Sequence, residues 1–228
     1  MKSVVYLVTQ NWYEKVLPSI RSLLVMTKSI ENVYVLCEDD DPEVFRFDSR
    51  IKPINVSKQR IFKKTGPNYV NKRWSYMVLM KAAIYKILPE EEDLVLALDA
   101  DTIHTGDISD LWSIDMTDYY VAGVKEPYRS WLHNQLYVNG GVLFMNLEKL
   151  RDGKGDEIVR DLNTKKFEWL EQDAINFACK DKIYQLPAVY NVAANVTETH
   201  RGDPKIFHFA ARPNDWFEEP LVKEWRRK

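Results

Sequence analysis

The chain reads as an α/β protein with a mainly parallel central sheet flanked by helices, and three observations predict this. Apolar runs of strand length recur at Val4-Val5-Tyr6-Leu7-Val8, Val33-Tyr34-Val35-Leu36-Cys37 and Leu94-Val95-Leu96-Ala97-Leu98. None alternates with polar residues, as expected of strands buried on both faces. Between the first two, Val16, Leu17, Ile20, Leu23 and Leu24 recur at helical spacing. Strand, helix, strand implies a right-handed parallel unit. All three runs stop in short polar segments, and open α/β sheets place ligands at the carboxyl ends of their strands.

Composition narrows the class. With 228 residues, 45% hydrophobic and 29% charged, the chain is long enough for one large domain with a substantial core. A net charge of -2 excludes a dedicated nucleic-acid surface, which needs clustered excess Lys and Arg. Cys37 and Cys179 sit in apolar patterns and form no disulfide framework, which fits a reducing compartment. No apolar run approaches the roughly 20 residues of a membrane helix. Met1-Lys2-Ser3 leads straight into a strand pattern, so a cytoplasmic protein without a signal peptide is expected.

In chain order, the first run ends in Thr9-Gln10-Asn11, and Pro18 requires the following helix to hold it in its first turn. The second run stops in Glu38-Asp39-Asp40-Asp41-Pro42. Residues 51–56 form a third strand pattern, and the basic segment 58–72, with Gly66-Pro67 inside it, reads as a mobile loop. Residues 73–88 are expected to be helical, with Trp74, Met77, Val78, Ile84, Ile87 and Leu88 as the apolar stripe and Pro89 closing it. Lys81 interrupts that stripe. The next strand, residues 94–98, ends on Asp99-Ala100-Asp101, whose carboxylates point the same way in an extended chain with the small Ala100 between them. That suits a divalent cation, because like charges so close repel unless something offsets them. From spacing alone, a solvated acidic turn is an equal reading.

After Asp101, Gly106-Asp107 and Ile108-Ser109-Asp110-Leu111-Trp112 read as a turn and a short helix capped by Ser109 or Asp107, and residues 119–124 as a strand. Residues 137–146 form a strand whose entry, Asn139-Gly140-Gly141, permits close approach of a backbone or a ligand; a bulge is the alternative. Glu171-Gln172-Asp173 begins a helix, where acidic residues also simply favour the dipole. His208 lies in the apolar strand pattern of residues 206–210, and a lone buried His reads first as structural.

Together and in this order, these segments resemble the family 8 glycosyltransferases, the group that includes glycogenin and bacterial lipopolysaccharide galactosyltransferases. The resemblance rests on Leu98-Asp99-Ala100-Asp101-Thr102, Gly106-Asp107-Ile108-Ser109-Asp110-Leu111-Trp112, Tyr137-Val138-Asn139-Gly140-Gly141-Val142, Glu171-Gln172-Asp173, and Leu186-Pro187 to Tyr190-Asn191. It covers nearly the whole chain. It implies the GT-A type nucleotide-diphospho-sugar transferase fold as a single domain over residues 1–228, with a nucleotide-binding half to about residue 102 and an acceptor half over 103–228.

By the same resemblance, Asp99, Asp101 and His208 hold a divalent metal, Mn2+ or Mg2+, that bridges the diphosphate of a UDP-sugar donor. Lys81 is directed at the phosphates and donor sugar. Thr9, Asn11 and Trp12 fall on the uridine positions, Ala100 lies within the metal motif, and Asn139 and Glu171 match donor-sugar contacts. Gln172, Lys81 and Asp173 are the catalytic candidates. The implied reaction is retaining transfer of a hexose, glucose or galactose, to a carbohydrate or glycoconjugate acceptor. Three departures stand out: Gly140 replaces Ser or Ala, Glu171 replaces Asp, and Arg212 replaces the lysine of a shortened C-terminal motif. A nucleotide-sugar-binding protein with impaired catalysis, a sugar nucleotidyltransferase and a phosphohydrolase are the rival readings. The basic, aromatic tail Lys223-Glu224-Trp225-Arg226-Arg227-Lys228 suggests at most peripheral membrane contact, a solvated and frayed end being the simpler reading.

Overall fold

The computed structural model describes residues 1–69, 75–127, 136–193, 203–210 and 216–227. The chain begins with β1 (Ser3–Leu7), a 3-10 turn (Gln10–Trp12), α1 (Tyr13–Met26), β2 (Asn32–Cys37) and β3 (Ile51–Asn55). A 3-10 helix (Tyr76–Ala83) then runs into the short α2 (Ile84–Ile87), followed by β4 (Leu94–Leu98), β5 (Thr102–His104), a 3-10 turn (Ser109–Ser113) and β6 (Val121–Lys125). Next come β7 (Val138–Asn146), α3 (Leu147–Lys149), α4 (Gly155–Thr164), α5 (Leu170–Cys179) and β8 (Ile183–Gln185). The last elements are β9 (Val192–Ala193), β10 (Ile206–His208) and α6 (Pro220–Arg227).

Seven strands form the main sheet in the order β3-β2-β1-β4-β7-β6-β8. The pairs β2/β3, β1/β2, β1/β4 and β6/β8 are parallel, and only the two pairs made by β7 are antiparallel. This is the mainly parallel sheet the apolar runs predict. Alternate residues of the central strands enter opposite cores, as the pleat requires. Val5, Val95, Ala97, Leu143 and Met145 face α4 and α5, whereas Val4, Tyr6, Leu96, Leu98 and Phe144 face α1. A second, three-stranded sheet, β5-β10-β9, carries the chain's last strand back beside the end of β4.

Several expectations are corrected. Helix α1 begins five residues before Pro18, so the proline sits past the first turn and removes a backbone bond to Glu14. The helix expected over 73–88 is mostly 3-10 where it is described, and Arg73 and Trp74 lie outside the described residues. Three residues per turn align Val78, Lys81 and Ile84, which keeps Lys81 on an inward face. Of the basic segment 58–72, the described part, residues 58–69, is docked and not a free loop, and residues 70–72 lie outside the described residues. Asn68, buried, donates to the Leu162 and Lys165 carbonyls at 2.7 Å each and accepts the Phe167 N–H, while Asn163 accepts the Lys63 N–H. The tail is not frayed either. Val222 and Trp225 of α6 are buried with Ile103, Phe209 and Trp216, so the apolar side chains that would meet lipid already form a core with the rest of the chain. No helix among the described residues is long and apolar enough to cross a membrane.

His104, in β5, is fully buried, and neither ring nitrogen has a hydrogen-bond partner among the described residues. Burial pushes its imidazole down to about 3. The unfolded chain takes up a proton near 6.5 that the folded chain refuses, so this contribution is intact above 6.5 and is lost as pH falls toward 3. Between pH 7.5 and 5, the wild type is expected to lose about 2 kcal/mol more stability than His104→Leu. Urea unfolding of both proteins at the two pH values measures the difference, and equal losses would contradict it.

Candidate active site

The parallel strands β1, β2 and β4 end at one edge of the sheet, and the site is assembled there. Beyond Leu98 the chain turns through Asp99-Ala100-Asp101 into β5. Asp99 is tied back to the sheet by its N–H on the Gly141 carbonyl, 2.8 Å away. Ala100 packs against the α1-side core, so the two flanking carboxylates project away from it, as alternation predicts. β10 pairs with β5 rather than with β4, with His208 opposite Thr102, and the Phe209 N–H donates to the Asp101 carbonyl. The His208 Nε2 consequently faces Asp99 Oδ2 at 3.6 Å and Asp101 Oδ1 at 3.4 Å. Burial disfavours the His208 imidazolium, but the facing Asp101 and Asp99 outweigh it and hold the group above its usual range.

Lys81 reaches the same aspartate from the other side. It is buried, contacts Asp99 Oδ1 at 2.6 Å, donates to the Gly140 carbonyl at 2.8 Å and lies 3.8 Å from Glu171. Burial opposes its charge, yet Asp99 and Glu171 keep the ammonium above its ordinary value. Asp99 moves the other way: Lys81 and His208 overcome its desolvation and hold the carboxyl below its usual range. One ammonium cannot serve two carboxylates equally. At the longer distance Glu171 gains less from Lys81, and burial pushes it up to about 7.

Helix α5 and strand β7 supply the neighbouring wall. Gln172 Oε1 accepts the Gly140 N–H at 2.7 Å, and its amide nitrogen lies 3.4 Å from Glu126 Oε2 and from the Tyr137 hydroxyl. Asp173 is buried behind it, where one oxygen accepts the Tyr137 hydroxyl at 2.6 Å and the other the Trp169 N–H at 2.8 Å. Asn139 donates to Glu126 at 2.6 Å, while its oxygen accepts from the Gly141 N–H and the Asn191 amide, both at 2.9 Å. Gly141 is required here. A Cβ on it would lie 2.0 Å from His208 Cε1, so only glycine lets the ring reach the aspartates.

The candidates Thr9, Asn11 and Trp12 follow the end of β1, the strand paired beside β4. Thr9 Oγ1 donates to Asn11 Oδ1 at 2.5 Å, and Trp12 stacks on Trp216 with centroids 6.2 Å apart and planes 7° from parallel. Trp12 thus has an aromatic partner within the chain, a pairing the sequence did not signal. Arg212 lies outside the described residues. Sequence reasoning also missed Glu126, and it found Asn191 only as part of a motif without a role.

Asp99, Asp101 and His208 each offer a ligand atom, and these atoms lie within 4.8 Å of one another. Two carboxylate oxygens and a neutral imidazole nitrogen are all acceptors, a donor set that fits a divalent cation. A mainly parallel sheet with a metal-binding Asp-x-Asp motif at its carboxyl edge defines the class of GT-A-fold glycosyltransferases.

The chain belongs to glycosyl transferase family 8, which it matches over residues 3–218. It is 24% identical to the glycosyltransferase GlyF of Streptococcus pneumoniae serotype 4 over 94% of this chain, and spans 57% of that protein's length. It is 23% identical to the lipopolysaccharide 1,2-glucosyltransferase of Escherichia coli K12, covering 98% of this chain and 76% of that one. The crystal structure of the galactosyltransferase LgtC with donor and acceptor sugar analogues superposes with a TM-score of 0.75 at 16% identity, over 99% of this chain and 95% of that chain. The structural likeness carries the fold.

Proposed function

We propose that this chain transfers a hexose, glucose or galactose, from a UDP-sugar to a hydroxyl of a carbohydrate or glycoconjugate acceptor, with retention and with Mn2+ or Mg2+ at Asp99, Asp101 and His208. The observation that carries the reading is the meeting of these three side chains, from two distant parts of the chain, with the buried Lys81 ammonium on the far side of Asp99. When bound, the cation supplies Lewis-acid stabilisation of the diphosphate as charge develops on it. Lys81 adds a fixed positive charge in a water-poor setting, where such preorganised charge is most effective. Thr9, Asn11 and Trp12 hold the uridine at the end of β1, and Ala100 keeps the floor between the aspartates low. Asn139 and Glu171 face the donor sugar, and Arg212 is assigned to the phosphates.

Gln172 is assigned to the reacting face. An amide is a poor nucleophile, and Asp173 already accepts from Tyr137 and Trp169, which makes it a positioning group. The reading is therefore a same-face displacement. The bond from the sugar's anomeric carbon to the diphosphate oxygen breaks, the acceptor oxygen bonds to that carbon from the same side, and its proton passes to the departing diphosphate. Residues up to about 102 serve as the nucleotide half and residues 103–228 as the acceptor half, with His208 supplied from the second half.

Incubation with UDP-glucose or UDP-galactose, Mn2+ and a panel of sugar acceptors tests this. UDP release should depend on acceptor, and proton NMR should show an α-linked product from the α-configured donor. A β-linked product would refute retention, and UMP or free sugar phosphate as the sole product would favour the phosphohydrolase or nucleotidyltransferase readings.

A further inference from the structure

The hydrogen bonds behind His208 have a direction, and that direction fixes which ring nitrogen can meet a cation. The chain of contacts starts at a group with only one polarity. The Gly141 backbone N–H can only donate, and it lies 2.9 Å from the Asn139 side-chain oxygen. That sets the orientation of the Asn139 amide, and the other end agrees: its nitrogen faces Glu126 Oε2 at 2.6 Å, where a carboxylate oxygen accepts. Because the Asn139 oxygen also faces Asn191 at 2.9 Å, the Asn191 group there must be its NH2. The Asn191 oxygen is then turned to His208 Nδ1, 3.1 Å away. A carbonyl oxygen accepts and cannot donate, so Nδ1 must carry the proton.

We infer that Asn191, oriented through Asn139 by the Gly141 N–H and Glu126, is a positioning residue that holds neutral His208 in its Nδ1–H tautomer and presents the bare Nε2 to the cation site. With no cation present Asp99 and Asp101 favour a proton on Nε2 as well, so it is the acceptor at Nδ1 that lets the ring keep one proton there when a cation takes Nε2. Histidine ligands generally need such an outer partner to fix the ring and strengthen the ligating nitrogen. The inference assigns a task to the Tyr190-Asn191 motif. Tyr190 donates to Asp110 Oδ2 at 2.5 Å, and Lys205 pairs with the same carboxylate at 2.6 Å. Asp110 thereby ties the segment before Asn191 to the one leading into β10. Two stretches of sequence far from the aspartate pair thus become the mount for its third partner.

The inference rests on the metal-dependent reading above, and the test separates the two. Nitrogen-15 NMR of Mg2+-loaded protein labelled at histidine should show His208 with a protonated Nδ1 and an unprotonated Nε2. Asn191→Asp, which keeps an acceptor toward Nδ1, should preserve that pattern. Asn191→Leu should abolish it and should weaken Mn2+ binding, followed by the EPR signal of free Mn2+, by about 10- to 100-fold. A purely structural role would lower the melting temperature without moving the imidazole signals. The inference is overturned if wild-type His208 carries its proton on Nε2, or if Asn191→Leu keeps both the wild-type spectrum and the wild-type Mn2+ affinity. Should wild-type protein bind no Mn2+ at all, the metal reading fails and the inference falls with it, whereas Mn2+ binding that Asn191→Leu leaves unchanged overturns the inference alone. If Asn191→Leu does not fold, the wild-type and Asn191→Asp spectra decide it.

Discussion

Gly141→Ala is expected to abolish metal-dependent nucleotide binding while leaving most of the sheet in place. The new methyl group would sit 2.0 Å from His208 Cε1 and 2.7 Å from Nε2, distances no side chain tolerates, so either the ring leaves the aspartates or β7 moves. β7 pairs with β4 up to Val142 and its Gly141 carbonyl receives the Asp99 N–H, while its register with β6 shifts over this stretch; moving β7 would therefore drag Asp99 with it. The ring is therefore the part that yields. Forced overpacking of this kind costs about 1–3 kcal/mol. Loss of the imidazole should reduce Mn2+-dependent UDP affinity by at least the roughly 100-fold seen when supporting groups of a metal site are removed. Gly140→Ala is the contrast. Its Cβ would meet nothing closer than Gln172 Oε1 at 3.2 Å, with Gln172 Cβ and Cγ at 3.5 Å, so metal-dependent binding should persist. Calorimetry on both variants measures this, and equal behaviour would contradict the account.

Lys81→Ala should produce the second large effect, on turnover. The ammonium is buried against Asp99 and the Gly140 carbonyl, at the edge to which the proposed reaction assigns the leaving diphosphate. Removing one preorganised charge of this kind typically costs about 100- to 1,000-fold in kcat. UDP affinity should fall less, because the charge matters most as the leaving group separates. Steady-state kinetics beside UDP calorimetry tests the split. If binding and turnover fall by the same factor, Lys81 serves only to hold Asp99.

Much of this arrangement was legible in the sequence because buried parallel strands read as unbroken apolar runs. β1, β2 and β4 were located that way, and the aspartates followed from where β4 must stop. β5, β8 and β9 are two or three residues long and exist through pairing with distant partners, so no local pattern marks them. The docked basic segment was misread for the same reason: Asn68 finds its partners about a hundred positions away.

The two histidines show the limit most clearly. Thr102-Ile103-His104 and Ile206-Phe207-His208 are neighbouring antiparallel strands of one small sheet, each ending in a buried His. One imidazole has no hydrogen-bond partner among the described residues and the other faces two carboxylates. Hydrophobic pattern cannot separate them, because the difference lies in the pleat and in what β10 meets; only the resemblance singled out His208. Gly141 was noticed as a place of close approach, but not that an imidazole is what approaches.

In the proposed reaction Asp99, Asp101 and His208 recruit a nucleoside diphosphate through a divalent cation. Titration of UDP into the protein by calorimetry, with Mn2+ and then with a chelator in its place, tests it most directly. The account predicts binding with Mn2+ and its loss with the chelator, because bare carboxylates repel the diphosphate. Equal affinity under the two conditions would contradict it.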